Sequence, residues 1–572
     1  MKRSHALVLA LAAAAALLVM LLFPGESLPD LLLVNGVVYT GDAAGPRAGA
    51  LAIREGKILE VGSTGDLEAR FPDAPRLDAG GKAVVPGFTD SHGHLEGLGA
   101  ALAGLDLTGA SSPADIQHLV GGAARSAGAG AWVRGRGWDQ NRWNPPLFPT
   151  AAILDSVSGK VPVYLKRVDG HAVWVNSRAM ELAGLDRRTP DPQGGRILRD
   201  REGNPTGVFV DRAVDLLENH LPEVSRGERA GAVLRGAAAC ARAGLTGVHD
   251  MGVDAEGISL YRELAGGGRL PIRVYAVLDG EDTSWVRRAA GGPLVDEGGR
   301  LTVRAVKLYA DGALGSRGAA LLEPYNDEPL HRGLTLVSSD RIVGAARTAI
   351  RSGFQMCVHA IGDRANALVL DAYAEAFRLE GANGGALRFR VEHAQVLAGP
   401  DIGRFARLGV IPSMQPVHCT SDMGWVEDRV GSQRARTSYA WRSLLDAGCV
   451  IPAGSDFPVE SPDPFAGFHA AITRQDPGGN PPGGWHPEQR MTREEALKAF
   501  TLWGAWAAFE EDRRGILAPG MDADLLVLSR DIMRCPAREI PGTAAHLTMV
   551  GGVIAWTDST LRVTRGGGDA PR

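Results

Sequence analysis

Cysteine is scarce and scattered in this chain. The 572 residues include five cysteines, at positions 240, 357, 419, 449 and 535, and no two have C-x-x-C spacing. This pattern excludes a disulfide framework and a zinc site built from cysteines. We therefore expect the cysteines to be small buried apolar residues.

The sequence also lacks an excess of charge of either sign. It has 61 basic and 66 acidic side chains, a formal net charge of −5. Dedicated nucleic-acid-binding domains usually carry a clear basic excess, so we expect no nucleic-acid partner. Apolar residues make up 45% and charged residues 22%, which is typical of a globular protein. There is no G-x-S-x-G motif that would indicate a serine hydrolase.

A long apolar run lies at the amino terminus. Behind Lys2 and Arg3, 18 apolar residues extend from Ala6 to Phe23 and end at Pro24 and Gly25. Signal peptides contain about 7–15 such residues, and a spanning helix needs about 20. We predict that residues 1–27 form a signal peptide or an N-terminal membrane anchor, with cleavage left open. The protein would be exported to the periplasm or the extracellular space and would contact membrane only through this segment.

Hairpin patterns flank the rest of the chain. Near the start, LLLVNGVVYTGD has a turn at Asn35-Gly36, and near the end, HLTMVGGVIAW has a turn at Gly551-Gly552. Neither group contains enough strands to bury its apolar faces alone. We predict one small β-sandwich built from residues 28–85 together with residues 511–572, the last of which form a tail.

The middle of the chain alternates apolar strands with helical stretches, which favours a parallel α/β sheet. Eight strands are predicted, at residues 84–92, 132–138, 244–251, 304–312, 355–360, 388–394, 409–415 and 449–456. Eight such strands predict a (β/α)8 barrel over residues 86–510. The long connection over about 139–228 predicts an inserted lid.

Metal-ligating residue types lie at the carboxyl ends of these predicted strands. They are His92, His94, Lys307, His359, His393 and Asp456. His92 and His94 form H-G-H, and alternate residues of a strand point the same way. Each residue alone has an ordinary structural explanation, such as a core histidine or a helix cap. All six on the face where barrel enzymes place their sites indicate a metal centre.

The motifs that contain these residues resemble those of a known family. PGFTDSHGH, VKLYADGALGSRGAAL, VHAIGDRA, VEHAQ and AGSDFPV resemble the amidohydrolase superfamily, in the amidohydrolase 3 branch that includes N-substituted formamide deformylases. The resemblance extends over residues ~30 to ~560 in the order of these motifs.

The resemblance implies a ligand set. His92, His94 and Asp456 would bind the more buried metal, and His359 and His393 the second. Lys307 would bridge the two as a carbamate formed with CO2. These ligands suit two zinc ions, with iron, manganese or cobalt as alternatives; a one-metal site stays open.

Other polar and aromatic residues are candidates for substrate contact. His171 in RVDGHAVWVN, Arg317 in LGSRG and Trp138 in GWDQNRW are predicted to bind substrate. Loop hydrogen bonding for His171 and core packing for Trp138 remain the alternatives. The His249-Asp250 pair also ends a predicted strand, and we expect it to be structural or to face the substrate.

The expected reaction is hydrolysis of a non-peptide amide by metal-activated water, with Asp456 as the catalytic proton carrier. The partner would be a small amide-type molecule, with an N-acyl or N-formyl group as the family-based expectation. One alternative is hydrolysis of an ester or lactone at the same metal site. The other is a non-catalytic exported binding protein. The sequence does not indicate an oligomeric state.

Overall fold

The computed structural model describes residues 28–561 except 44, 46 and 129, together with residues 563–564. The predicted signal or anchor segment, residues 1–27, lies outside the described residues. Within the described ranges, no helix is both long and apolar enough to cross a membrane.

A nearly closed parallel barrel forms the centre of the molecule. Seven strands follow one another around it in chain order, at Phe88–Gly93, Leu245–Val253, Arg273–Asp279, Leu301–Tyr309, Gln355–Ala360, Arg390–His393 and Ile411–Ser413. The segment before Asp456 takes the eighth position. Ala453 bridges Met414 in parallel on one side, and its carbonyl accepts a hydrogen bond of 2.9 Å from Ser91 N on the other. The predicted α/β barrel is therefore confirmed.

Helices connect the barrel strands and cover the outside of the barrel. Those around the barrel are Leu95–Ala101, Asp215–Glu218, Arg226–Ala243, Ala255–Gly266, Trp285–Ala289, Ser339–Ser352, Asp363–Glu380, Gly384–Leu387, Gly399–Leu408, Pro416–Asp422, Val426–Ala435, Trp441–Asp446, Pro464–Thr473, Arg493–Ala499 and Leu502–Ala507. Two of the longest, Arg226–Ala243 and Asp363–Glu380, lie in the helical stretches predicted between strands. A short strand, Leu294–Val295, pairs with the fourth barrel strand.

One predicted barrel strand was wrong. Residues 132–138 contain a strand, Val133–Trp138, but it pairs in parallel with Val163–Arg167 in a separate sheet. The barrel strand in its place is Arg273–Asp279, which follows helix Ala255–Gly266 as an ordinary βα unit. Both segments are short and extended, so the distinction depends on pairing partners distant in the sequence.

The separate sheet lies within the long connection after the first barrel strand. Its six strands are Leu105–Asp106, Val133–Trp138, Val163–Arg167, Ala172–Val175, Gly195–Arg199 and Pro205–Asp211, and its helices are Pro113–Ser126, Ala151–Ser158 and Ser177–Leu182. We call this unit the inserted sheet. It begins at Leu105, before the predicted start near residue 139.

Both chain ends contribute to a pair of sheets beside the barrel. One contains Leu31–Val34, Ala50–Arg54, Lys57–Gly62, Arg76–Asp78 and Val563–Thr564; the other contains Val37–Tyr39, Arg47–Ala48, Ala83–Pro86, Leu525–Leu528, Ala545–Val550 and Val553–Thr557. Helix Thr64–Arg70 packs on the first sheet. Leu33 and Val38 share one buried core with Val527 and Met549. The predicted sandwich from both ends is thereby confirmed.

Candidate metal centre

His92 and His94 lie at the end of the first barrel strand, and the Nε2 atoms of both imidazoles approach Asp456 Oδ1. His92 Nδ1 lies 2.7 Å from Glu392 Oε2, and His94 Nδ1 lies 3.0 Å from the Met251 carbonyl. These acceptors hold the proton on Nδ1, so each Nε2 presents its lone pair. The glycine between them is required, because a Cβ at Gly93 would lie 2.4 Å from Phe457 Cζ.

His359 and His393 face His92 from the fifth and sixth strands. The ring centroid of His393 is 4.8 Å from that of His92 and 4.5 Å from that of His359. His393 Nδ1 lies 2.8 Å from Gln415 Oε1, which leaves its Nε2 available. Burial is the main cause that lowers the pKa of both His359 and His393 well below the usual range. Burial also lowers the pKa of His92, to about 4. Neutral imidazole is the form that binds a metal.

Asp456 completes this group from the eighth barrel position. Its Oδ1 is 3.1 Å from His94 Nε2 and 3.6 Å from His92 Nε2. Burial acts to raise the pKa of Asp456, but nearby His92, His418 and His94 outweigh it, so the pKa lies well below the usual range. Asp456 has a positive φ of 58°, and its N–H donates to the His92 carbonyl at 2.7 Å. The backbone thus fixes the carboxylate against the first strand.

Lys307 is buried beside the histidines on the fourth strand. Its Nζ lies 3.4 Å from His92 Nε2 and 5.1 Å from the centre of the Tyr309 ring. Burial is the main cause that lowers the pKa of Lys307 below the ordinary lysine value. A lowered pKa increases the share of neutral amine, the form that can react with CO2.

The geometry fits a metal ion. Ligand atoms of His92, His393 and Asp456 all lie within 4.8 Å of one another, and the three residues are buried. Imidazole nitrogens and a carboxylate oxygen are ligands that zinc and related divalent metals accept. The division predicted above assigned His92 and His393 to different metals, whereas here both approach one point; that division stays a prediction.

A buried ion pair supports the first ligand from behind. Arg390 Nε and Glu392 Oε1 are 2.7 Å apart, and both side chains are fully buried. Arg390 also donates to His249 Nδ1 at 2.9 Å. His249 therefore has a structural partner. Its neighbour Asp250 accepts hydrogen bonds from Leu95 N and Tyr261 Oη. Asp250 also lines a cavity of about 530 Å³ beside the candidate ligands.

Two adjoining cavities open onto the metal centre. The smaller measures about 530 Å³ and the larger about 970 Å³. His171 from the inserted sheet lines both of them, with Nδ1 2.8 Å from Asp211 Oδ1 and its ring 5.2 Å from that of His359. The structure thus brings His171 to the site.

Arg317 and Trp138 lie elsewhere. Arg317 pairs with Asp327 at 2.9 Å and lines neither cavity. Trp138 is fully buried in the inserted sheet, where its Nε1 donates to the Leu165 carbonyl and its ring packs near Trp143 and Trp174. Both predicted contacts with substrate lack support, because these side chains are engaged with protein partners.

Sequence reasoning missed several groups around the centre. His418, just after the seventh strand, lies 3.4 Å from Asp456 Oδ2 and 3.3 Å from Glu460 Oε1. Glu392, in the VEH motif, and Arg136, on the inserted sheet, were also missed. His418 closely follows a predicted strand, and this position was the signal that could have identified it. Arg136 could be placed at the site only with knowledge of how the strands of the inserted sheet pair.

A barrel with buried imidazole, lysine and carboxylate groups at the carboxyl ends of its strands is the arrangement of a metal-dependent hydrolase. The chain belongs to the amidohydrolase family, because the family model of its amidohydrolase 3 branch matches residues 77–555. It is thus a hydrolase of carbon–nitrogen bonds, as predicted.

Similar proteins cover nearly the whole chain. The Protein LONG AFTER FAR-RED 3 of Arabidopsis thaliana is 35% identical over 88% of this chain and 88% of its own. An N-substituted formamide deformylase of Arthrobacter pascens is 31% identical over 92% of this chain and 98% of its own. The crystal structure of an uncharacterized metal-dependent hydrolase from Pyrococcus horikoshii OT3 is 27% identical, with a TM-score of 0.72 over 89% of this chain and 99% of its own.

Proposed function

We propose that this protein hydrolyses a small non-peptide amide that carries an N-acyl or N-formyl group. The observation that carries the proposal is the convergence of His92, His393 and Asp456 donor atoms within 4.8 Å beside the cavity of about 530 Å³ that all three line. The deformylase relative, whose name gives the N-substituted formamide class, supports the choice of the acyl group.

Two zinc ions are the proposed metals, with His92, His94, His359, His393 and Asp456 as ligands. When bound, such ions activate water and polarise a carbonyl group. Asp456 holds an ionised carboxylate beside this point, so it can accept a proton from water and return it to the leaving nitrogen. His418, 3.4 Å from Asp456 Oδ2, orients that carboxylate.

Lys307 is proposed to bridge the metals as a carbamate. Its burial and its 3.4 Å approach to His92 Nε2 place the amine at the centre. We expect two metal ions per wild-type chain, and one or none in Lys307→Met. A 13C NMR signal of a carbamate after exposure to 13CO2 should be present only in the wild type. A wild-type stoichiometry of one ion with no carbamate signal would contradict the bridge.

A substrate panel tests the reaction. Purified metal-loaded protein should release amine from N-formyl and N-acetyl amines faster than it releases alcohol from matched esters or opens lactones to hydroxy acids. Faster ester or lactone cleavage would assign the other reaction to the same site. A purified protein that contains no bound metal and hydrolyses no compound of the panel would support the alternative of a non-catalytic binding protein.

A further inference from the structure

Arg136 stands out among the positive side chains around the cavities. It lies on strand Val133–Trp138 of the inserted sheet and lines both cavities together with His359 and Asp456. It is therefore on the wall opposite the barrel, facing the space that a substrate would occupy.

Other arginines and one lysine also line the cavities outside the metal centre. Each of them is either paired with a carboxylate or exposed to solvent. Lys166 pairs with Glu218 at 2.9 Å, and Arg229 pairs with Glu96 at 2.8 Å. Arg167 pairs with Asp139 and Asp169. Arg142 is exposed to solvent at the larger cavity. Carboxylates therefore compensate Lys166, Arg229 and Arg167, and water solvates Arg142, which leaves Arg136 as the half-buried cation without a carboxylate partner in the part of the chain that the structure describes.

Arg136 differs because no carboxylate of the described residues lies within ion-pair distance of it. Of its three side-chain nitrogens, only Nη2 has a hydrogen-bond partner there, the Val168 carbonyl at 2.8 Å. Its Nε is buried without a partner. The residue is half-buried, and its Nη1 also has no protein partner among the described residues, so a charged donor is left for an anion in the cavity.

The guanidinium is also held in place. Gly170 has φ +77°, and a Cβ there would lie 3.3 Å from Arg136 Nη2. The glycine therefore lets the turn between Asp169 and His171 pack closely against the guanidinium group. With Val168 fixing one edge, the remaining donors keep one orientation, as required for planar recognition of a carboxylate.

We propose that Arg136 binds a carboxylate of the substrate, so that the amide cleaved at the metal centre belongs to an N-acyl or N-formyl amino acid or a similar acid. This inference rests on the proposed amide reaction for the substrate's reactive group. The anion site itself depends only on Arg136 and its surroundings.

Binding of two probes that need no turnover tests the site. Calorimetry on metal-loaded protein would compare 3-phenylpropanoate with neutral 3-phenylpropan-1-ol, which has no bond that the site is proposed to hydrolyse. The wild type should bind the carboxylate more tightly, and Arg136→Met should lose roughly 10- to 100-fold of that preference, the worth of charged hydrogen bonds. Arg136→Lys should keep part of it, because it keeps the charge.

The matched control is Arg134→Met. Arg134 lies on the same strand, donates to the Pro222 carbonyl and lines neither cavity. It should bind both probes as the wild type does. A carboxylate preference that survives in Arg136→Met would place the anion on the metals and overturn the inference. Absence of any preference in the wild type, or equal loss in Arg134→Met, would overturn it as well.

A kinetic arm separates this inference from the proposed reaction. N-formylphenylalanine and N-formyl-2-phenylethylamine differ only by a carboxylate, and kcat/KM should favour the acid in the wild type but not in Arg136→Met. If neither amide is hydrolysed while the binding preference still requires Arg136, the proposed reaction fails and the anion site stands. If both are hydrolysed and their ratio is unchanged in Arg136→Met, the anion site fails and the reaction stands.

Discussion

Glu392 Oε2 lies 2.7 Å from His92 Nδ1, although the two residues are 300 positions apart in the chain. The carboxylate fixes the tautomer of a candidate metal ligand, and Arg390 fixes the carboxylate in turn. Burial acts to raise the pKa of Glu392, but Arg390 and His92 outweigh it and hold the pKa well below the usual range.

We expect Glu392→Gln to weaken metal binding by roughly 10- to 100-fold, the usual effect of removing a partner of a ligating histidine. A metal-competition titration measures this. Glu375→Gln, which alters a surface pair with Arg378, is the control and should bind metal normally. Unchanged affinity in Glu392→Gln would show that His92 needs no orienting carboxylate.

Asp456→Asn should retain most of the metal but lose kcat by roughly 10²–10⁴, the worth of a positioned general base. His359→Ala should instead lose metal first, with activity partly restored by excess metal. Metal analysis and steady-state kinetics on both variants separate the two roles. Near-normal kcat in Asp456→Asn would show that another group carries the proton, and His171 and His249 would be tested next.

Deleting residues 523–572 should make the protein insoluble. Leu525, Val527 and Met549 share a core with the N-terminal strands, and their loss would expose that apolar surface. Sedimentation of expressed protein and thermal melting measure the effect. The control removes only residues 565–572, outside the described residues. A soluble, fully active 1–522 chain would rule out the shared sandwich.

Asp422 should make stability depend on pH. Burial is the main cause that raises its pKa to about 7, while Tyr439 Oη and Gln395 Nε2 donate to its Oδ2. Because the folded pKa is above the unfolded value, the protonated acid stabilises the fold at low pH. That stabilisation is lost as pH rises from about 4 towards 7.

Asp422→Asn should remove this dependence. Relative to the wild type, its melting temperature should rise between pH 5 and pH 8. Asp446→Asn, at an exposed helix end, should follow the wild type across the same range. Parallel curves for the wild type and Asp422→Asn would show that Asp422 does not change its protonation on unfolding in this range.

The candidate ligands were predictable because their signal is local. Each of His92, His359, His393 and Asp456 ends an apolar segment, and strand periodicity fixes which way its side chain points. The strand containing Arg136 was assigned to the wrong sheet, because strand pairing is set by contacts remote in sequence. The pairing of Arg317 with Asp327 could not be predicted for a similar reason, because Asp327 lies on a loop that has no periodic pattern; substrate binding by Arg317 stays a prediction.

The pairing of Val85 with Leu526 has a consequence for synthesis of the protein. The strand that leads into the barrel acquires this neighbour only after more than 400 further residues have been translated. Until then its apolar side chains lack part of their cover, and the nascent chain must tolerate that exposure. Such sequence-distant pairing slows folding, so we expect the last step of maturation to be closure of this sheet after translation ends.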